Sequence, residues 1–147
     1  MKICTTILLG LIAGIFYCWS ISVTKGLALL PDKEYLLAFQ KLNQAIQNPL
    51  FFICFFGPVF LLPVCMWRNY SICLLLATLS YYIGVMGVTI AGNIPLNNML
   101  EAFSVQGAGI EELRAMRAQF EMKWNILNHI RTLCSLAAFI LTLISLD

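Results

Sequence analysis

Four stretches of this chain are so apolar and so long that they fix its class. Residues 3–24, 50–67 and 71–98 carry no charged side chain at all, and residues 133–146 form a fourth such run. A bilayer core of about 30 Å takes about 20 helical residues at about 1.5 Å each. Gly92 and Pro95 interrupt the third run, so its spanning part is read as residues 71–91. With 61% apolar and 11% charged residues and a mean hydropathy of +0.86, the 147-residue chain is excluded from the soluble domains. Uninterrupted runs of this length indicate helices rather than alternating barrel strands. The expectation is an all-α, single-domain, four-helix transmembrane bundle in a plasma or cytoplasmic membrane. Its spans are about residues 3–24, 50–67, 71–91 and 111–146.

The last span sets the main constraint. Between Arg131 and the end of the sequence there is apolar chain for only about 22 Å of helix. To cross, this helix recruits about another turn upstream. Arg131, with Asn128 and His129, then falls at or inside the membrane boundary. Two placements remain open: the guanidinium snorkels to the headgroups, or it faces a polar pocket inside the bundle. No breaker separates Glu111 from Leu146, so the spacing predicts one helix of about 36 residues, about 54 Å long. Its first half projects beyond the bilayer. On it Leu113, Met116, Phe120, Trp124, Leu127 and Ile130 or Arg131 share a face. Asn128 and Arg131, at i and i+3, join Trp124 there. His129, two residues from Arg131, points elsewhere.

The connecting segments are also patterned. Between residues 25 and 48, Tyr35, Leu36, Phe39, Leu42 and Ile46 recur at helical spacing with polar residues between them. This predicts an amphipathic helix over about residues 32–47, capped by Asp32, that lies in the headgroup plane or caps the bundle. Pro58 and Pro63 each remove a hydrogen bond from the second span. Ser80, Gly84, Gly87 and Ala91 form a small-residue stripe on the third, a surface for close helix packing. Gly10 and Gly14 make a weaker GxxxG on the first. The hydroxyls of Tyr17, Ser20 and Thr24 share one side and either line a polar pocket or bond to nearby carbonyls. After residue 91, Gly92 is expected to stop the helix and Pro95 to hold Ile94 extended. Asn98 with Glu101 then caps a short helix over residues 99–105. Asn93 and Asn97 either tie down this loop or line a site.

The first run, too long and without a cleavage pattern, is read as a retained helix rather than a signal peptide. The six cysteines lie in or beside spans with no CxxC, as small buried residues rather than a disulfide frame. One histidine and scattered thiols build no common metal site, so no metal is expected. The net charge of +2 gives no reason to expect a nucleic-acid partner. With four helices both termini share a side. The positive-inside rule then places the Lys- and Arg-bearing large loops in the cytoplasm.

Several groups of residues together resemble the anthrone-oxygenase-like family of small four-helix membrane proteins, long catalogued as a domain of unknown function. They are Gly14-x-Phe16-x-x-Trp19, Phe39-Gln40-x-Leu42-Asn43 and Asn48-Pro49, then Asn93-x-Pro95-Leu96-Asn97-Asn98 and Trp124-x-x-x-Asn128-x-x-Arg131-Thr132. The resemblance covers nearly the whole chain. It implies oxidation of an aromatic ketone such as a polyketide anthrone, with no cofactor, at a polar pocket in the bundle. Arg131, Asn128 and, less directly, His129 are the catalytic candidates. Trp124, Asn93, Asn97 and Trp19 are the substrate-binding candidates.

Two readings follow. In the first, Arg131 supplies a fixed positive charge in a low-dielectric pocket for an enolate or phenolate, and His129 takes a proton from carbon. Trp124 and the phenylalanines of the second span hold the flat substrate. Arg131's partners are then neutral: Asn93, Asn97, Tyr81, Tyr82, Thr89 or freed carbonyls. In the second, the same Asn, Trp and Arg residues only tie the helices together, in a structural, accessory or ligand-binding protein. Membrane lipid and a small aromatic or lipophilic ligand are the expected partners.

Overall fold

The computed structural model describes residues 1–146 and, among them, holds only helices and short connections. Helix α1 spans Lys2–Ala28, α2 Asp32–Ile46, α3 Pro49–Arg68, α4 Ile72–Ala102 and α5 Ile110–Ile144. All but α2 are long and apolar enough to cross a membrane. The first span therefore runs a turn past residue 24, and the third does not end at residue 91. Helix α5 has 35 residues.

The continuity of α4 through Gly92 and Pro95 corrects the expected break. Ile94 is helical (φ −61°, ψ −49°), not extended, and Asn98 and Glu101 lie inside the helix rather than capping a new one. The reason is local geometry. Residues Thr89–Asn93 form a π turn. Such a turn bonds i to i+5, which accommodates a proline that can neither donate to the carbonyl four residues back nor sit tightly against it. A second π stretch covers Ser80–Gly87, and α1 has its own at Trp19–Val23.

The wide turns also rephase the small-residue stripe. Gly84 packs against Cys134 of α5, and Ser80 Oγ donates to the Cys134 carbonyl at 2.9 Å. Gly87 meets no other helix and Ala91 is exposed, while Gly92 packs against Leu127 in its place. Of the GxxxG pair, Gly10 meets Phe139 and Gly14 meets nothing. One proline of α3 is answered from α4. Pro63 leaves the Val59 carbonyl without its helical donor, and Tyr82 donates its hydroxyl there at 2.5 Å. Tyr81 donates to Phe55 O at 2.6 Å. These two tyrosines are thereby committed to α3 and do not meet Arg131.

Helix α2 caps the bundle. Tyr35, Leu36 and Phe39 are buried in a cluster with Leu27, Leu100, Leu113, Phe120 and Trp124. Its first turn is not capped by Asp32, whose carboxylate instead accepts from Arg117 Nη1 of α5 at 3.0 Å. Asn48 closes the far end: its Oδ1 accepts from Phe51 N and its Nδ2 donates to Ala45 O, each at 3.0 Å. All six cysteines are free.

Candidate functional site

The polar residues of α5 turn inward just where α1 makes its π turn. Asn128 Nδ2 donates to Phe16 O at 3.2 Å and to Ser20 Oγ at 2.9 Å. Its Oδ1 accepts from Arg131 Nη2 at 2.9 Å. Arg131 Nη1 makes a long contact of 3.4 Å to Thr89 Oγ1 of α4. The guanidinium lies 4.5 Å from the Phe16 ring centroid and 5.5 Å from that of Trp124, a cation–π arrangement. Arg131 is only 7% exposed, so it does not snorkel. No carboxylate pairs with it among the described residues, and its Nε has no partner. A buried cation without a counterion is costly. Here ring faces and neutral acceptors offset only part of that cost.

Beside it lies a cavity lined by Ile15, Phe16 and Trp19 of α1, Phe39, Asn43 and Ile46 of α2, Phe51 of α3, Asn97 of α4, and Trp124, Asn128 and Arg131 of α5. Its volume is about 60 Å³, room for a few waters. A fused-ring ligand must therefore push side chains aside to bind. The aromatic walls hold one another: Trp19 lies 5.1 Å from Trp124 and 5.4 Å from Phe39, and Phe39 meets Trp124 edge-on at 4.8 Å. Trp124 Nε1 donates to Asn97 Oδ1 at 2.9 Å. That bond fixes Asn97 with its Nδ2 free of any protein acceptor among the described residues.

The expected residues thus divide. Arg131, Asn128, Trp124, Asn97 and Trp19 come together on one cavity. Asn93 does not line it. It is 1% exposed, one helical turn from both Thr89 and Asn97, with neither end of its amide bonded among the described residues. His129 does not line it either. Its ring is exposed, with Nδ1 3.1 Å from Ser20 Oγ on the other side of the network. Counting protons assigns its tautomer. Thr132 gives its one hydroxyl proton to Asn128 O at 2.8 Å, so Ser20 is the donor in its 2.9 Å contact with Thr132. Ser20 then has no proton for His129, and Nδ1 carries it. Of the phenylalanines of α3, only Phe51 reaches the cavity.

Sequence reasoning missed two contributors, Asn43 and Arg117, and left Ser20 open between a polar pocket and a backbone bond. Ser20 proves to be the junction of the network, whereas Thr24 bonds only to its own helix, at Trp19 O. Asn43 was legible as the polar residue on the buried side of α2. Arg117 gave no signal beyond its charge, yet it latches α2 down. Its guanidinium donates to Ala28 O, Leu30 O, Asp32 and Glu121 at 2.7–3.0 Å and lies 4.3 Å from the Tyr35 ring centroid. Burial pushes the Tyr35 phenol well above its ordinary range; Glu121 adds to the shift and Arg117 opposes it.

Residues 35–141 match the sequence model of the anthrone oxygenase family, a stretch that takes in most of α2 and all of the cavity lining outside α1. No curated protein and no solved structure matches the chain. Four span-length helices and a family match over most of the sequence leave one assignment: this membrane protein belongs to the anthrone oxygenase family.

Proposed function

We propose that the cavity binds the ionised form of a flat aromatic ketone or quinol-like compound and that the protein oxidises it with molecular oxygen. One observation carries this reading: the Arg131 guanidinium is buried without an acid and forms one wall of an aromatic cavity. A site of this kind prefers an anion over a neutral molecule, because the ligand supplies the missing countercharge. Asn97 Nδ2 and the indole and phenyl faces orient the ring.

For an anthrone the overall change is the conversion of a ring CH2 and O2 to C=O and H2O. Arg131 stabilises the enolate, so a proton leaves the ring carbon more easily. Among the described residues the lining holds no carboxylate, histidine, lysine or thiol, so water in the cavity receives that proton. The enolate gives one electron to O2, and the radical and superoxide join to form a C–O bond. The peroxide anion takes the proton back. The hydroperoxide then loses water as its remaining C–H and its O–O bond break. His129 has no part in this sequence.

The same bonds also join α1, α4 and α5, which favours a second reading: a binding protein without turnover. Oxygen uptake by the protein in lipid vesicles, with anthrone as the probe, separates the two. The expected result is protein-dependent uptake that falls at least about 100-fold in Arg131→Gln, the size of effect seen when one charge-stabilising donor is lost, with helix content unchanged. Anthrone binding that depends on Arg131 without uptake leaves the second reading. Binding indifferent to Arg131 overturns both.

A further inference from the structure

The depth of the cavity and the uneven way its roof is fastened say how a ligand reaches it. Helix α3 has 20 residues, about 30 Å, and is bracketed by Asn48 at one end and Arg68 and Asn69 at the other. It therefore measures the hydrocarbon layer. Gly57 packs so closely on Leu8 of α1 that an added Cβ would sit 2.5 Å from Leu8 Cδ1, which puts the two residues level. Counting eight residues along each antiparallel helix from there makes Pro49 level with Phe16. The edge of the hydrocarbon layer thus runs through the cavity: Ile15, Phe16 and Phe51 lie at it, and Trp19, Trp124 and Asn97 lie on the headgroup side.

The roof, α2, is stitched on two sides. Towards α4, Gln40 Nε2 donates to Leu100 O at 2.8 Å and to Phe103 O at 3.0 Å, and Gln44 donates to Glu101 at 2.6 Å. Towards α5 and the end of α1, Arg117 makes the bonds described above. On the third side, between Ile15, Ile46 and Phe51, no hydrogen bond crosses among the described residues. All three are half-buried. Outside them stand Leu11 and Leu50, 52% and 77% exposed, so this side borders acyl chains and headgroups rather than water.

We infer that the cavity is loaded sideways from the bilayer, between Ile15, Ile46 and Phe51. Its ligand is a membrane-partitioned flat weak acid, which the bilayer interface holds at that depth. The inference rests on the proposed anion site at Arg131 and adds the route and the solubility class. Phosphatidylcholine vesicles holding the protein test it, with 9-anthracenecarboxylate as the partitioning probe and anthracene-1,5-disulfonate as the water-confined one. Quenching of Trp19 and Trp124 fluorescence reports binding in a stopped-flow experiment.

The carboxylate is expected to associate at least about tenfold faster than the disulfonate at equal aqueous concentration. Phe51→Ala should speed its association and release severalfold, with Ile46→Ala as the second variant if the first does not fold. Gln44→Ala should leave the rates as they are. Faster association in Gln44→Ala but not in Phe51→Ala, or equal rates for the two probes, overturns the lateral route and leaves the Arg131 site standing. Carboxylate binding that survives Arg131→Gln, or no saturable binding at all, removes the site and the route together.

Discussion

The two ends of the bundle are built on different principles. Towards the termini, Leu9, Ile12, Phe55, Leu62, Ala77, Tyr81, Val85 and Ala138 fill a dry core whose buried hydroxyls bond to carbonyls one turn back, and Gly84 lets α4 come close against α5. Towards the large loops the core is made of indole and phenyl rings under a separate amphipathic helix. There the buried groups include a guanidinium, two asparagines and four hydroxyl side chains, not all of them satisfied. The first end maximises contact. The second tolerates a cavity, an unpaired charge and unbonded amides, each of which lowers stability, and this is the end with something to bind.

Substitutions that break the comparison differ in size. Asn128→Leu should be the most damaging. It removes a bond to a charged group, about 1.5–3 kcal/mol, and two neutral bonds of about 1 kcal/mol each. It also leaves Ser20 and Arg131 exposed to a low dielectric. Thermal unfolding in detergent measures the loss, and combining it with Arg131→Met should recover part of it. Full stability in Asn128→Leu alone would mean that the polar network is not structural.

Gly84→Ala probes the dry end. Its new Cβ would lie 2.2 Å from Cys134 Sγ and 2.5 Å from Cys134 Cβ, so overpacking should cost about 1–3 kcal/mol. Adding Cys134→Ala should recover only part, because the Cβ contact remains. A destabilised Gly84→Ala protein that still binds anthrone when folded would show the two ends to be separable. Asn93→Leu is the smallest and the most informative in sign. Replacing an amide that has no partner among the described residues by an apolar side chain of the same branching should raise stability by about 1 kcal/mol. A lower melting temperature would instead reveal a water held between that amide and its neighbours.

The same division explains what the sequence could and could not tell. The dry end follows from length and composition, so the four spans and the α3–α4 turn were readable at once. At the polar end, Trp124, Asn128 and Arg131 were readable because a regular helix fixes which residues share a face. The continuation of α4 was not, because Gly92 and Pro95 stop an ordinary α-helix and a π turn leaves no residue signature of its own. Asn93 shifted out of the lining for the same reason. Arg117 was unreadable as a latch because, apart from Glu121 one turn away, its partners are Asp32 and two carbonyls far away in sequence.

The wide turns also limit how this chain can vary. Each is in effect a residue inserted into a helix, and one residue is worth about 100° of rotation. Deleting any single residue between Ser80 and Asn93 would swing Asn97 away from Trp124 and leave the helix below unturned. The alignment of the site is therefore stored in a count of residues rather than in their identities. Scans that exchange one side chain for another will pass over it, whereas a shift of one position in length will not.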